Sequence, residues 1–174
     1  TDTLPYEAIA TLPTPVEGSE TMAASVGAES FYVKRDDVTG AEYGGNKVRK
    51  LAFLLARARA QGATSTLTFG AAGSNHALAT AIYARKLGME PISMLVPQHN
   101  AKSIQRNLLR GLAAGASLNH FQGRADVARG TVAKLVAACR AGQPRPFIIP
   151  AGGSAPLGVI GFVDAALELK DQIE

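Results

Sequence analysis

From Phe31 onward, short apolar runs alternate with longer stretches of helical period, and no other feature of the chain restricts its fold as strongly. "FYVK" (31–34) reads as a strand, followed by the polar loop "RDDVTGAEYGG". Asn46 then stands where an N-cap belongs, and Val48, Leu51, Leu55 and Ala58 recur at helical spacing until Gly62. "TLTFG" reads as a strand, a helix runs from about Asn75 to Leu87 and closes at Gly88, and "PISMLVP" is the next strand. A helix near 101–114 carries Ile104, Leu108 and Leu112, and "SLNHF" is a short strand. A helix near 125–141 carries Val127, Thr131, Leu135 and Cys139, "FIIP" is a strand, and "AGGSAPLG" leads into a last helix through Val163, Leu167 and Leu169. Strands this apolar have no wet face, so the predicted class is α/β: an open, mostly parallel twisted sheet with helices on both faces. Residues 1–30, interrupted by Pro5, Pro13 and Pro15, read as an irregular arm.

Composition excludes several classes. With 47% hydrophobic and 18% charged residues in 174, the chain is an ordinary globular one, long enough for one sizeable core. No apolar run approaches bilayer length and no basic-then-apolar leader is visible, so no membrane partner and a cytoplasmic location are expected. The net charge of +4 comes from scattered Lys and Arg, aromatics are only 6%, and no nucleic-acid-reading motif is present, so no nucleic acid is expected. His76, His99 and His120 lie too far apart for metal-ligand spacing, and no metal is expected. The single cysteine, Cys139, falls in the apolar phase of its helix and reads as core.

In a parallel sheet ligands sit beyond the carboxyl ends of strands, against helix N-termini. Two loops there are suited to chemistry. "YGGNKVRK" (43–50) places Lys47, Arg49 and Lys50 in a first helical turn, where the helix dipole already disfavours cations, so an anion is expected nearby. Like charge pushes Lys47 toward the neutral amine that forms a Schiff base with a carbonyl compound, and a phosphate on that compound would satisfy the other cations. Pyridoxal 5'-phosphate has both groups. In "GAAGSNH" (70–76) two glycines allow a tight turn, and Ser74 or Asn75 caps the next helix beside free N–H groups. Taken alone, the first loop also reads as a solvated helix start and the second as an ordinary cap. A dinucleotide fingerprint at Gly70 and Gly73 is incomplete, lacking its third glycine and its acidic residue.

Together, "KRDDVTGAEYGGNKVRKLAFLLARARAQGA", "TFGAAGSNHALATAIYARKLGM" and "IPAGGSAPLGVIGFVDAALEL" resemble the D-cysteine desulfhydrase and aminocyclopropane-carboxylate deaminase family of pyridoxal-phosphate enzymes, of the tryptophan-synthase-β-like fold. The resemblance covers nearly all of residues 31–174. It implies that Lys47 bonds to the cofactor and moves the substrate α-proton. It further implies that Asn46, Lys50 and Asn75 face the cofactor, and that Ser74, a catalytic residue, together with Asn75 and His76 faces a small amino-acid substrate. His76 gives the "SNH" form of the desulfhydrase branch, which implies α,β-elimination to a keto acid, ammonia and sulfide. The alternatives are cyclopropane opening or a non-catalytic amino-acid or anion-binding module. Two positions depart from the family pattern: Gly73 replaces a usual glutamine, and Leu78 replaces a basic residue. The resemblance also implies a homodimer, a small domain at 50–153, and incomplete portions of a larger cofactor-binding domain at 1–49 and 154–174. The family's glycine-rich phosphate loop has no counterpart here, as in the N-terminal half of such an enzyme.

Overall fold

The computed structural model describes residues 4–173. At its centre is a four-stranded, fully parallel sheet built from β3 (Ser65–Ala71), β4 (Glu90–Val96), β5 (Ser117–His120) and β6 (Phe147–Ile149), in the order β5-β4-β3-β6. The connections are the predicted helices: α3 (Asn75–Lys86), α4 (Lys102–Ala113) and α5 (Arg124–Arg140), with α2 (Lys47–Ala60) before the sheet and α6 (Pro156–Ile173) after it.

Register explains the two layers. Leu67 pairs with Ile92 on one side and Ile148 on the other, so these three share a face, whereas Thr68, Ser93 and Ile149 share the opposite one. Against the Ile149 face pack Val48, Leu51, Leu54 and Leu55 of α2 with Ala79, Tyr83 and Ala84 of α3, the main core cluster. Leu67, Ile92 and Met94 form a smaller cluster with Phe121 and with Val127 of α5. Helices therefore cover both faces, as the sequence predicts, and the heavily covered face carries the candidate site. α6 lies along α2, brought close by Gly161, where a Cβ would stand 2.5 Å from the Arg49 carbonyl oxygen.

Three sequence expectations change. "FYVK" does not join the parallel sheet: β2 (Tyr32–Lys34) pairs antiparallel with β1 (Val16–Gly18) in a separate two-stranded ribbon. Tyr32 and Val33 are both exposed, so this strand lacks the two buried faces that a central parallel strand requires. The arm at 1–30 is not wholly irregular, because it contains α1 (Glu20–Val26), whose first turn is capped by the Ser19 hydroxyl and which ends on Gly27 in the left-handed region. Ser before and Gly after a short helix-forming run were the readable signals. Cys139 is exposed, not core. α5 is alone on its face, with no fully buried residue, and a spacing of four overshoots the helical period by about 40° per step. From Val127 through Thr131 and Leu135 to Cys139 the drift reaches about 120°, which turns the thiol off the sheet.

Candidate active site

The loop before α2 is folded by its glycines. A Cβ on Gly44 would lie 1.6 Å from the Asp37 carbonyl oxygen, a distance no side chain tolerates, and Gly45 sits at φ 119°. The buried Thr39 hydroxyl lies 2.9 Å from the Gly45 carbonyl and accepts the Gly45 N–H at 3.0 Å, while the Tyr83 hydroxyl donates to the Tyr43 carbonyl at 2.7 Å. Lys47 is thereby delivered, half-buried, to the first residue of α2. Its ammonium donates to Asn46 Oδ1 at 3.0 Å and forms no salt bridge among the described residues. Asn46 does not cap the helix: its backbone is already helical (φ −59°, ψ −16°), so its side chain turns to Lys47 instead of to the helix N–H groups.

Of the three cations that open α2, Arg49 finds its anions inside the chain. Only 1% exposed, it donates from Nε and Nη2 to Asp36 at 2.9–3.1 Å, and from Nη1 and Nη2 to Glu168 of α6 at 2.9 Å each. Glu168 also accepts from Lys34 and, at 2.9 Å, from the Thr14 N–H. Burial by itself raises the Glu168 carboxyl, but the hydrogen bonds from Arg49, Lys34 and the Thr14 amide outweigh it and hold it at about 2. Burial likewise depresses the Arg49 guanidinium, and the two carboxylates more than restore it. The sequence reading of three cations awaiting one anion is thus corrected: Arg49 is structural, and Lys47 and Lys50 remain.

Lys50, 8% exposed, donates to the Gly152 carbonyl at 3.2 Å, and its ammonium lies 5.0 Å from the centre of the Phe162 ring. Burial pushes this amine down, and the charge of Lys47 adds to the effect. Beside it, on the far side of Gly153, is His76 at 3% exposure. The Thr68 hydroxyl donates to the Ile149 carbonyl at 3.0 Å and so can only accept from His76 Nε2, at 3.1 Å. That leaves His76 Nδ1 as a buried lone pair with no partner among the described residues. Burial, reinforced by Lys47 and Lys50, outweighs the Pro150 carbonyl, which favours only the protonated ring, and pushes the imidazole down to about 4, so it is neutral at pH 7.

α3 opens at the carboxyl end of β3. Ser74 Oγ accepts the Ala77 N–H at 3.2 Å, the predicted cap, and keeps its own O–H to donate. Asn75 is exposed, and its Oδ1 accepts from Asn107 Nδ2 at 2.8 Å. At Gly73 a Cβ would meet Ile104 Cγ1 at 2.7 Å, while its N–H is taken by Gln98 and its carbonyl by Asn107, both at 3.0 Å. Leu78, 4% exposed, lies in the packed interior of α3, where a cation would have to be buried.

The structure therefore sets Lys50 and His76 on either side of Gly153, near enough to Lys47 for its charge to act on both, with Ser74 and Asn75 opening the helix that carries His76. Sequence reasoning missed Thr68, Asn107 and the Gly152 carbonyl. Asn107 was detectable as a poor helix former between Ile104 and Leu108. Thr68 was not, since nothing in "TLTFG" marks which threonine faces a histidine.

Known proteins share this fold. The family described as pyridoxal-phosphate dependent enzyme matches residues 8–174. A D-cysteine desulfhydrase of Serratia proteamaculans is 38% identical over 164 residues, covering 91% of this chain and 49% of that protein. Nocardicin C-9' epimerase of Nocardia uniformis subsp. tsuyamanensis is 37% identical over 174 residues, covering 97% and 51%. The crystal structure of an ACC deaminase homologue superposes with a TM-score of 0.86 at 33% identity, over 97% of this chain and 51% of that one. The chain thus spans about half the length of the curated relatives it matches. A lysine opening a helix under a glycine turn, a second helix start at the carboxyl end of β3 on the same face of the parallel sheet, and a family match over almost the whole chain lead to one conclusion: this chain belongs to the pyridoxal-phosphate-dependent enzymes, whose cofactor is pyridoxal 5'-phosphate.

Proposed function

We propose that this chain carries the lysine-bearing part of a lyase that removes a β-substituent from a small amino acid, as in D-cysteine desulfhydrase. One observation carries the reading: Arg49 is fully matched by Asp36 and Glu168, whereas Lys47, two residues away, has among the described residues only the neutral Asn46 oxygen. An amine held in place without a carboxylate is free to react and to carry a proton.

The residues present fit one edge of pyridoxal phosphate. Lys47 offers an amine, Asn75 an amide N–H pair with no acceptor among the described residues, and Lys50 a buried ammonium without a carboxylate. When bound, the cofactor supplies an aldehyde for amines and a ring that draws electrons from the substrate α-carbon. In this reading Lys47 would hold the cofactor at rest, and its amine, once freed, would take the α-proton from the substrate. The Asn75 amide would donate to a ring oxygen of the cofactor, Asn46 would hold the Lys47 end of it, and Lys50 would face the phosphate. The Ser74 hydroxyl donates toward the substrate. His76, neutral and pinned to Thr68, supports the floor of the substrate site without adding charge.

Cyclopropane opening is the second reading, favoured by the overall superposition on the ACC deaminase homologue. That substrate has no α-hydrogen, so the two readings separate by substrate. Domains at 50–153 and at 1–49 with 154–174, a homodimer and a cytoplasmic location belong to the same proposal. The test is keto-acid release by the full-length protein from D-cysteine, L-cysteine and 1-aminocyclopropane-1-carboxylate. Release from cysteine that vanishes in Lys47→Ala is expected, and activity that survives this substitution rejects the assignment.

A further inference from the structure

The Asn107 side chain resolves an ambiguity that sits at the edge of the site. Its Nδ2 lies 3.0 Å from the Gly73 carbonyl oxygen and 2.8 Å from the Asn75 side chain. A backbone carbonyl only accepts, so the Asn107 atom facing it must be the NH2 group. One of its hydrogens is spent on Gly73, and the other points at Asn75, whose facing atom must then be the oxygen. The Asn75 NH2 is consequently turned the other way, exposed and without an acceptor among the described residues.

We propose that Asn107 is a positioning residue which fixes the polarity of Asn75, so that the helix start presents an N–H donor pair, never an oxygen, to an oxygen-bearing ligand. Asn107 is 8% exposed and lies one turn beyond Ile104, which closes over Gly73, so it is held by packing as well as by its own bonds. The chemistry selected is an acceptor oxygen: a phenolate, a carboxylate or a phosphate. The identification of that oxygen as the cofactor's rests on the function proposed above, but the amide polarity does not.

The test uses two variants of the full-length protein. Asn107→Asp keeps size and shape but replaces the donor by an acceptor, so Asn75 must swing its NH2 inward to meet it and show its oxygen outward. Asn107→Ala only releases Asn75, which then samples both orientations. Side-chain amide hydrogen exchange, followed by NMR without cofactor, is expected to show the Asn75 NH2 exchanging fast in the unsubstituted protein and in Asn107→Ala, but slowly in Asn107→Asp. Pyridoxal-phosphate affinity is expected to fall about tenfold or more in Asn107→Asp and less in Asn107→Ala. A purely packing role gives the reverse order, since alanine removes more atoms, and that order overturns the proposal. Unchanged Asn75 exchange in Asn107→Asp overturns it as well. If Asn107→Asp does not fold, fast Asn107 NH2 exchange in the unsubstituted protein is the contrary result. Should the exchange pattern appear as expected while the unsubstituted protein binds no pyridoxal phosphate, the amide polarity stands and the functional reading fails.

Discussion

At the scale of single residues, the site depends on a contrast between neighbouring cations. Arg49 and Lys47 lie two positions apart, yet one is locked between two carboxylates and the other, among the described residues, bonds only to Asn46. What keeps Lys47 in that position is Gly44, because the Asp37 carbonyl occupies the space a side chain would need. Gly44→Ala is expected to displace the 43–46 loop while leaving the core intact. Circular dichroism should stay native, and cofactor affinity should drop by about tenfold or more, since pushing backbone aside costs on the order of 1–3 kcal/mol. Native affinity in that variant would show that the loop tolerates a shift without moving the amine. Lys47 itself was legible from the sequence as a cation in the wrong place for the helix dipole. The Arg49 pairing was not, because Asp36 and Glu168 are 13 and 119 residues away and only the fold brings them together.

At the scale of elements, periodicity was informative wherever both faces of a strand are buried. β3 and β4 were readable because a short apolar run without alternation is stable only where both of its faces are covered, whereas the less buried β5 and β6 at the sheet edges were readable from the helices and turns that bracket them. The misreadings have local causes. The apolar run of Phe31, Tyr32 and Val33 reads as a strand of the main sheet, but Tyr32 and Val33 face solvent, and Cys139 reads as core from a spacing of four where the helix turns every 3.6 residues. α6 shows what sequence could not supply: its Glu168 closes a buried network from the far end of the chain. Glu168→Ala is expected to destabilise the fold by about 3–5 kcal/mol, because it strands the buried Arg49 guanidinium with one of its two carboxylates gone. Chemical denaturation checks this, and a loss below about 1 kcal/mol would mean the network is held by Asp36 alone.

At the scale of the whole molecule, two groups tie stability to pH in separate windows. His76 titrates at about 4 when folded against an ordinary 6.5. Above pH 6.5 it is neutral in both states and contributes no pH dependence. As pH falls from 6.5 toward 4, the unfolded chain takes up a proton that the folded one refuses, so stability declines by up to about 1.4 kcal/mol per pH unit. Glu168 acts lower: its contribution is complete above 4.5 and is lost as pH falls toward 2. Urea denaturation at pH 7, 5.5 and 4.5 should therefore show a decline that His76→Asn abolishes. A decline that persists unchanged in that variant would assign it to another group. In the proposed site, a histidine kept neutral near Lys47 and Lys50 adds no third positive charge to theirs.

The central claim is that Lys47 is the amine that takes the cofactor. Pyridoxal phosphate added to the full-length protein, fixed with borohydride and located by peptide mass spectrometry, tests it most directly. The added mass is expected on the peptide carrying Lys47 and on no other lysine. Its appearance on Lys50 or elsewhere, with Lys47 unmodified, would contradict the claim.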